Sequence, residues 1–129
     1  MLKLTYIETG FSLERLAQSL EEWVALRVVF ALRVGDRLCV EPSTATFLLP
    51  ADLPGLNLLA AEVRRQATDD ISFCACDAEY VEVSLKGTWL TVDSESEEGV
   101  FVTGLSHSTE FFLAKLWQEA QVSASVLRE

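Results

Sequence analysis

Apolar and polar residues alternate from Tyr80 to Lys86, at the start of the stretch 79–103. Val81, Val83 and Leu85 fall on one side, and Tyr80, Glu82, Ser84 and Lys86 on the other. That two-residue period marks a half-buried strand. Gly87-Thr88 follows as a tight hairpin turn, because glycine takes the positive φ such a turn needs. Trp89 to Val92 reads as the returning strand, Asp93 to Glu98 as a charged loop, and Val100 to Thr103 as a third strand. The period then changes. Phe112, Leu113, Leu116, Trp117 and Ala120 recur at helical spacing. Ser106 or Ser108 supplies the N-cap, and Glu110 suits the positive end of the helix dipole. The prediction is a three-stranded antiparallel meander with a helix across one face, which buries a core where a lone hairpin would not.

Earlier in the chain, Leu2 to Ile7 alternates with Leu2, Leu4 and Tyr6 on one face, and Thr9-Gly10 is a turn signal. Phe11 to Leu13 opens a second strand or a loop entering a helix. Ser19 to Glu22 matches a capping box, so a helix starts at Leu20. Val28, Val29 and Phe30 favour extended backbone, which predicts a strand from about Arg27 to Val34. Propensity and capping pull residues 20–34 in opposite directions, and helix and strand both stay open there. Val34 to Arg37 reads as a hairpin turn, with Leu38 to Glu41 returning. Pro42 breaks the ladder or marks an edge, having no N–H to donate. Ala45 to Leu49 is a short strand closed by Pro50. Asp52 caps a helix with Pro54 in its first turn, buries Leu53, Leu56, Leu59, Ala60 and Val63, and ends on Arg64-Arg65. Thr68 to Asp70 is a linker, and Ile71 to Phe73 re-enters the sheet. The order is strands, helix, strands, helix. The expected class is α+β: one domain over residues 1–129, mostly antiparallel sheet, with two main amphipathic helices packed on one side. The halves 1–67 and 68–129 have the outline of a duplication, without residue-level similarity.

Half of the 129 residues are hydrophobic and the mean hydropathy is +0.24, which suits a packed core and argues against disorder. The longest apolar stretch, Trp23 to Leu32, is interrupted by Arg27 and is too short to span a bilayer. The first ten residues lack the apolar core of a signal peptide. A soluble, cytoplasmic protein is expected. Net charge is −10, spread unevenly. Residues 1–67 carry seven Lys/Arg against eight Asp/Glu, and residues 68–129 carry three against twelve. The second half repels phosphate backbones, so nucleic acid is an unlikely partner.

Candidate chemistry is sparse. Cys39, Cys74 and Cys76 are an odd number, unlike a secreted disulfide framework, and read as reduced core cysteines. His107 is the single histidine, in a Ser-His-Ser-Thr-Glu run that a helix start explains without chemistry. Asp93 to Glu98 packs four carboxylates into six residues, but lacks the glycine and distal glutamate of a calcium loop. No phosphate loop, nucleophile elbow or His/Cys ligand set is present, so no catalytic residue, metal or cofactor is assigned. Trp23 and Trp117 read as core. Trp89, alternating with Leu90, and Tyr80 are expected to face outward as interaction residues. Arg27, Arg33 and Arg37 are the candidate anion ligands; on a regular strand Arg27 and Arg33 share a face.

The segments EPSTATFLLPADLP, CDAEYVEVSLKGTW and EEGVFVTGLSHSTEFFLAKLWQEAQ together resemble an uncharacterised conserved protein family of cyanobacteria. The resemblance covers residues 1 to about 121. It implies a cytoplasmic housekeeping or regulatory setting and carries over no functional residue. In outline, strands followed by a helix, twice, is similar to the Whirly-type single-strand DNA-binding proteins, which use a basic sheet edge and aromatic stacking. This chain has no lysine-rich strand and an acidic second half, so that function does not transfer with the outline. The function expected is a non-catalytic protein–protein interaction or regulatory module that self-associates, as a homodimer or with a protein partner. The alternative is a small-molecule-binding protein or small enzyme with an anion pocket near Arg27 and Arg33. Whirly-like single-stranded nucleic-acid binding comes third.

Overall fold

The computed structural model describes residues 1–93 and 95–128, the last eight by backbone alone. Its elements in chain order are β1 (Leu2–Ile7), β2 (Gly10–Arg15), α1 (Leu20–Arg33), β3 (Cys39–Pro50), α2 (Leu56–Gln66), β4 (Ile71–Ala75), β5 (Tyr80–Thr91), β6 (Gly99–Thr103) and α3 (His107–Arg128). The strands form one antiparallel sheet in the order β2-β1-β6-β5-β3, with β4 also paired to β5. The α+β class therefore stands. The element order does not divide into two like halves, because the first 67 residues hold two helices and the rest hold one.

Strand β5 is the hub. One of its edges pairs with β3 along its whole length, from Tyr80 opposite Pro50 to Thr91 opposite Cys39. Its other edge is shared. Strand β4 takes Val81 to Leu85 and β6 takes Thr88 to Leu90. The backbone of Lys86, between the two, is satisfied from both sides. Its N–H donates to Asp70 O at 2.8 Å, and its carbonyl accepts the buried Thr103 hydroxyl at 2.7 Å. Buried backbone groups need such partners.

The hairpin turn expected at Gly87-Thr88 is absent; β5 runs straight through. Glycine is required there for space. A Cβ at 87 would lie 2.3 Å from Val102 O and 2.6 Å from the Phe101 ring. Gly99 mirrors it across the ladder, where a Cβ would meet the Trp89 ring at 2.4 Å. Trp89 and Phe101 face each other in register, and each ring covers the glycine of the opposite strand. Such aromatic cover offsets what a glycine loses in a strand.

The main core lies on the face bearing Val83, Leu85 and Phe101. Helix α2 adds Leu56, Leu59 and Val63, and α3 adds Leu113 and Leu116. These are the two helices expected from their apolar stripes, and they pack on the same side. Trp117 touches Phe11 of β2 and Phe47 of β3, with ring centroids 4.6 and 5.4 Å away. Those are the two edge strands, so the sheet curls around α3 and one indole joins its ends. Asp52 does not cap α2. Two successive turns from Pro50 lead in, and Gly55 holds the cap position without a side-chain bond. Ser106 caps α3, accepting from the Thr109 N–H at 3.3 Å.

The third helix is on the other face. Residues 20–34, open between helix and strand, form α1, so the strand over Arg27 to Val34 is corrected. Ser19 caps the helix by accepting from Glu22 N–H at 3.2 Å. Burial of Trp23 and Ala31 then decides against the β preference of Val28, Val29 and Phe30. Helix α1 covers Leu90 and Val102, the residues of β5 and β6 that point away from the main core. The Val34 to Arg37 segment is accordingly a helix end, not a hairpin turn. Pro42 sits inside β3, which is an edge strand, as its missing N–H requires.

Gly87→Ala and Gly99→Ala should each destabilise the fold by about 1–3 kcal/mol through overpacking. Trp117→Ala should cost about 3–5 kcal/mol. Urea denaturation midpoints measure all three, and unchanged midpoints for both glycine variants would contradict the close approach.

Candidate functional site

Helix α1 is apolar on both sides. Its inner side packs on the sheet through Leu20, Trp23, Val24 and Ala31. Its outer side carries Leu26 (59% exposed), Val29 (46%), Phe30 (60%) and Leu32 (73%). A helix on a surface normally turns a polar face outward. At 100° per residue, Glu22, Leu26, Val29, Phe30 and Arg33 fall within an arc of about 100°. The outer stripe is therefore apolar in the middle, acidic at its N-terminal end and basic at its C-terminal end.

Beneath the inner side, α1 does not fill the sheet face. A groove of about 440 Å³ remains, lined by Lys3, Trp23, Arg27, Leu38, Leu90 and Val100 among others. Odd-numbered positions of β1 point to this face, since Leu2 and Leu4 belong to the main core. The Lys3 ammonium lies 5.7 Å from the Trp23 ring centroid and the Arg27 guanidinium 4.9 Å. Both distances are in the cation–π range. Asp93 and Glu98 line the groove from the β5–β6 loop. Each has an oxygen engaged by backbone, Asp93 by the Glu95 N–H at 3.1 Å and Glu98 by the Glu8 N–H at 3.2 Å.

A family model matches residues 1–121 of the chain. The chain belongs to the Alr0857-like family. No curated protein and no solved structure matches it. The match brings this Alr0857-like protein a family and no activity, so its function is argued from its own surface.

The three candidate arginines are not brought together. Arg27 lines the groove, Arg33 ends α1, and Arg37 follows the helix end beside Val28 and Leu32. Arg27 and Arg33 share a face only on a strand; on a helix six residues separate them by about 120°. Trp89 is half-buried, packed on the main core and against Gly99, so it does not offer a free indole to a partner. Tyr80 is exposed at the start of β5. The outer face of α1 was hidden from the sequence by the strand reading of residues 27–34. Its signal was present in the capping box, which starts a helix whose Leu26 and Phe30 lie one turn apart.

The residues around His107 serve the start of α3. Ser106 and Thr109 bond each other, Ser108 donates to Glu62, and the His107 ring lies against the Arg15 guanidinium at 2.6 Å. Glu110 is buried and paired with the Met1 ammonium, with Arg15 Nε at 3.8 Å. The acidic loop folds on itself: Thr91 Oγ1 donates to the carbonyls of Asp93 and Glu98, and Ser96 accepts from the Glu98 N–H. Ser94 of that run lies outside the described residues. Among the described residues no group of three or more His, Cys, Asp or Glu could hold a metal. Nor, among the described residues, is any helix long and apolar enough to cross a membrane.

The cysteines correct another expectation. Cys74 and Cys76 are exposed and Cys39 is half-buried. Strand β4 crosses only the outer part of β5, so its outward residues meet no covering helix. Local desolvation, and then the hydrogen bond from Cys76 Sγ to Glu82 at 3.5 Å, push the Cys76 thiol up from its ordinary value. A raised pKa lowers the thiolate fraction near neutrality and slows nucleophilic reaction. In a background with Cys39 and Cys74 replaced by serine, Glu82→Gln should lower the Cys76 pKa and speed its alkylation by iodoacetamide severalfold at pH 7.5. Mass spectrometry of timed aliquots reads the rate, and a slower or equal rate would contradict the role of Glu82.

Proposed function

We propose that this Alr0857-like protein is a non-catalytic interaction module that self-associates, with two copies pairing α1 against α1. The observation that carries the reading is the exposed apolar stripe of Leu26, Val29 and Phe30, with Leu32 exposed beside it, on a helix whose other side is already used. Contiguous exposed apolar surface marks an interaction site. A second copy is the occupant that the charges favour. Glu22 and Arg33 stand at opposite ends of the stripe, eleven residues and about 16 Å apart. In an antiparallel pair about a two-fold axis, Glu22 of each copy lies beside Arg33 of the other, and Leu26 lies near Val29. An isologous contact needs such a self-complementary patch. A parallel pair would instead oppose like charges.

The edges of the sheet support this choice. Pro42 leaves the edge strand β3 without one N–H, which discourages strand-to-strand addition. A net charge of −10 and the acidic second half count against nucleic acid as the partner. A cytoplasmic place in a cyanobacterial cell belongs to this same reading, as the setting in which a regulatory homodimer would act.

Sedimentation velocity over a concentration series should show a monomer–dimer equilibrium. Phe30→Glu should weaken it by roughly a hundredfold, the cost of losing a central apolar anchor. Glu22→Arg should weaken it severalfold, and Glu22→Arg with Arg33→Glu should restore it. A wild-type protein that stays monomeric at high concentration, or a dimer indifferent to Phe30→Glu, would overturn the proposal.

A further inference from the structure

We infer that the groove under α1 is a binding site for a small organic monoanion with an apolar body, such as an aromatic carboxylate. This site lies on the inner side of the helix and goes beyond the self-association reading, on which it does not depend.

The groove has the size and lining of a ligand site. About 440 Å³ falls within the range of small-molecule pockets. Trp23, Leu38, Leu90 and Val100 make its walls mostly apolar, and Thr5 adds a hydroxyl. Two positive charges gathered at Trp23 then mark where an anionic head would sit. Ion pairs are few among the described residues. Arg65 and Arg15 have theirs, with Glu62 and Glu110. Among the described residues Lys3 and Arg27 have none, although both sit in the groove. Each is instead held at the Trp23 ring. Cation–π contact positions a cation and leaves its N–H donors free to bind an anion.

The two acids of the groove set the ligand's charge. Asp93 and Glu98 come from the β5–β6 loop and keep one oxygen each on a backbone N–H. Their charge opposes a dianion and tolerates a monoanion whose head lies at Lys3 and Arg27. Trp23 is only 5% exposed, so the ligand meets its edge and stacks on no open indole face. The apolar body then rests on Leu90 and Val100.

The test titrates 2-naphthoate into ¹⁵N-labelled protein and follows the tryptophan indole N–H signals by NMR, with 2-naphthalenemethanol as the neutral analogue. A saturable shift centred on the Trp23 indole is expected, with the alcohol binding at least about tenfold more weakly. Lys3→Gln and Arg27→Gln should each weaken naphthoate by about tenfold. Val29→Glu, on the side of α1 turned away from Arg27, should leave naphthoate binding unchanged while weakening the dimer. No saturable shift, equal affinity for the alcohol, or indifference to both substitutions would overturn the site. Loss of binding in Val29→Glu alone would place naphthoate on the outer face and overturn it as well. Arg27 is exposed and Lys3 half-buried, so the two glutamine variants keep the fold, which their amide spectra report independently.

Discussion

The fold depends on the shared edge of β5. A twelve-residue strand with one full-length neighbour has an equally long second edge to satisfy, and here two short strands divide it. The seam falls at Lys86 and Gly87. The Thr103 hydroxyl and the Asp70 carbonyl take the two backbone groups that neither β4 nor β6 reaches. At the next residue the backbone of β6 comes so close that only glycine fits. The rest of the topology follows from this seam. Strand β6 brings its far edge to β1, so the N-terminal hairpin completes the sheet in its C-terminal part. The link from that hairpin must then return to β3 on the opposite edge, and α1 makes the crossing over the face that α2 and α3 leave bare.

That crossing explains why the two faces are unlike. The main core has two helices and a tryptophan that reaches both sheet edges. The second face has one fourteen-residue helix, about 21 Å long, lying over β1, β5 and β6. One helix covers only part of such a face, and the uncovered part is the groove. The same helix carries apolar residues on its outer side too, and among the described residues nothing lies over them. Both surfaces read as functional thus come from one mismatch, a core-like helix placed as the sole member of an outer layer.

Much of this was legible in the sequence. Strand β1 was readable to the residue, because its alternation is regular and a turn bounds it. The stripes of α2 and α3 named the residues that now fill the main core, and Ser19 was recognised as the cap that starts α1. Three signals misled for physical reasons. Gly87-Thr88 looks like a turn, because a close backbone approach and a positive φ select the same residue. Val28 to Phe30 look like a strand, because β preference is weak beside the burial of Trp23. Cys74 and Cys76 look buried, because cysteine usually is, whereas β4 runs where no helix covers the sheet. The arginines show the dependence most plainly. Whether Arg27 and Arg33 converge is decided by the period of the backbone carrying them, and on the helix Arg27 instead shares the Trp23 ring with Lys3, on a strand 24 residues away.

The position of Arg27 also ties the two surfaces together. On the helix it lies between Trp23, which it covers, and Phe30, which faces out; all three border one shallow hollow together with Leu26. Holding Arg27 against a carboxylate on the inner side would fix a side chain that otherwise borders the outer stripe. Coupling between two sites is reciprocal, so any effect of an anion on pairing implies an equal effect of pairing on the anion.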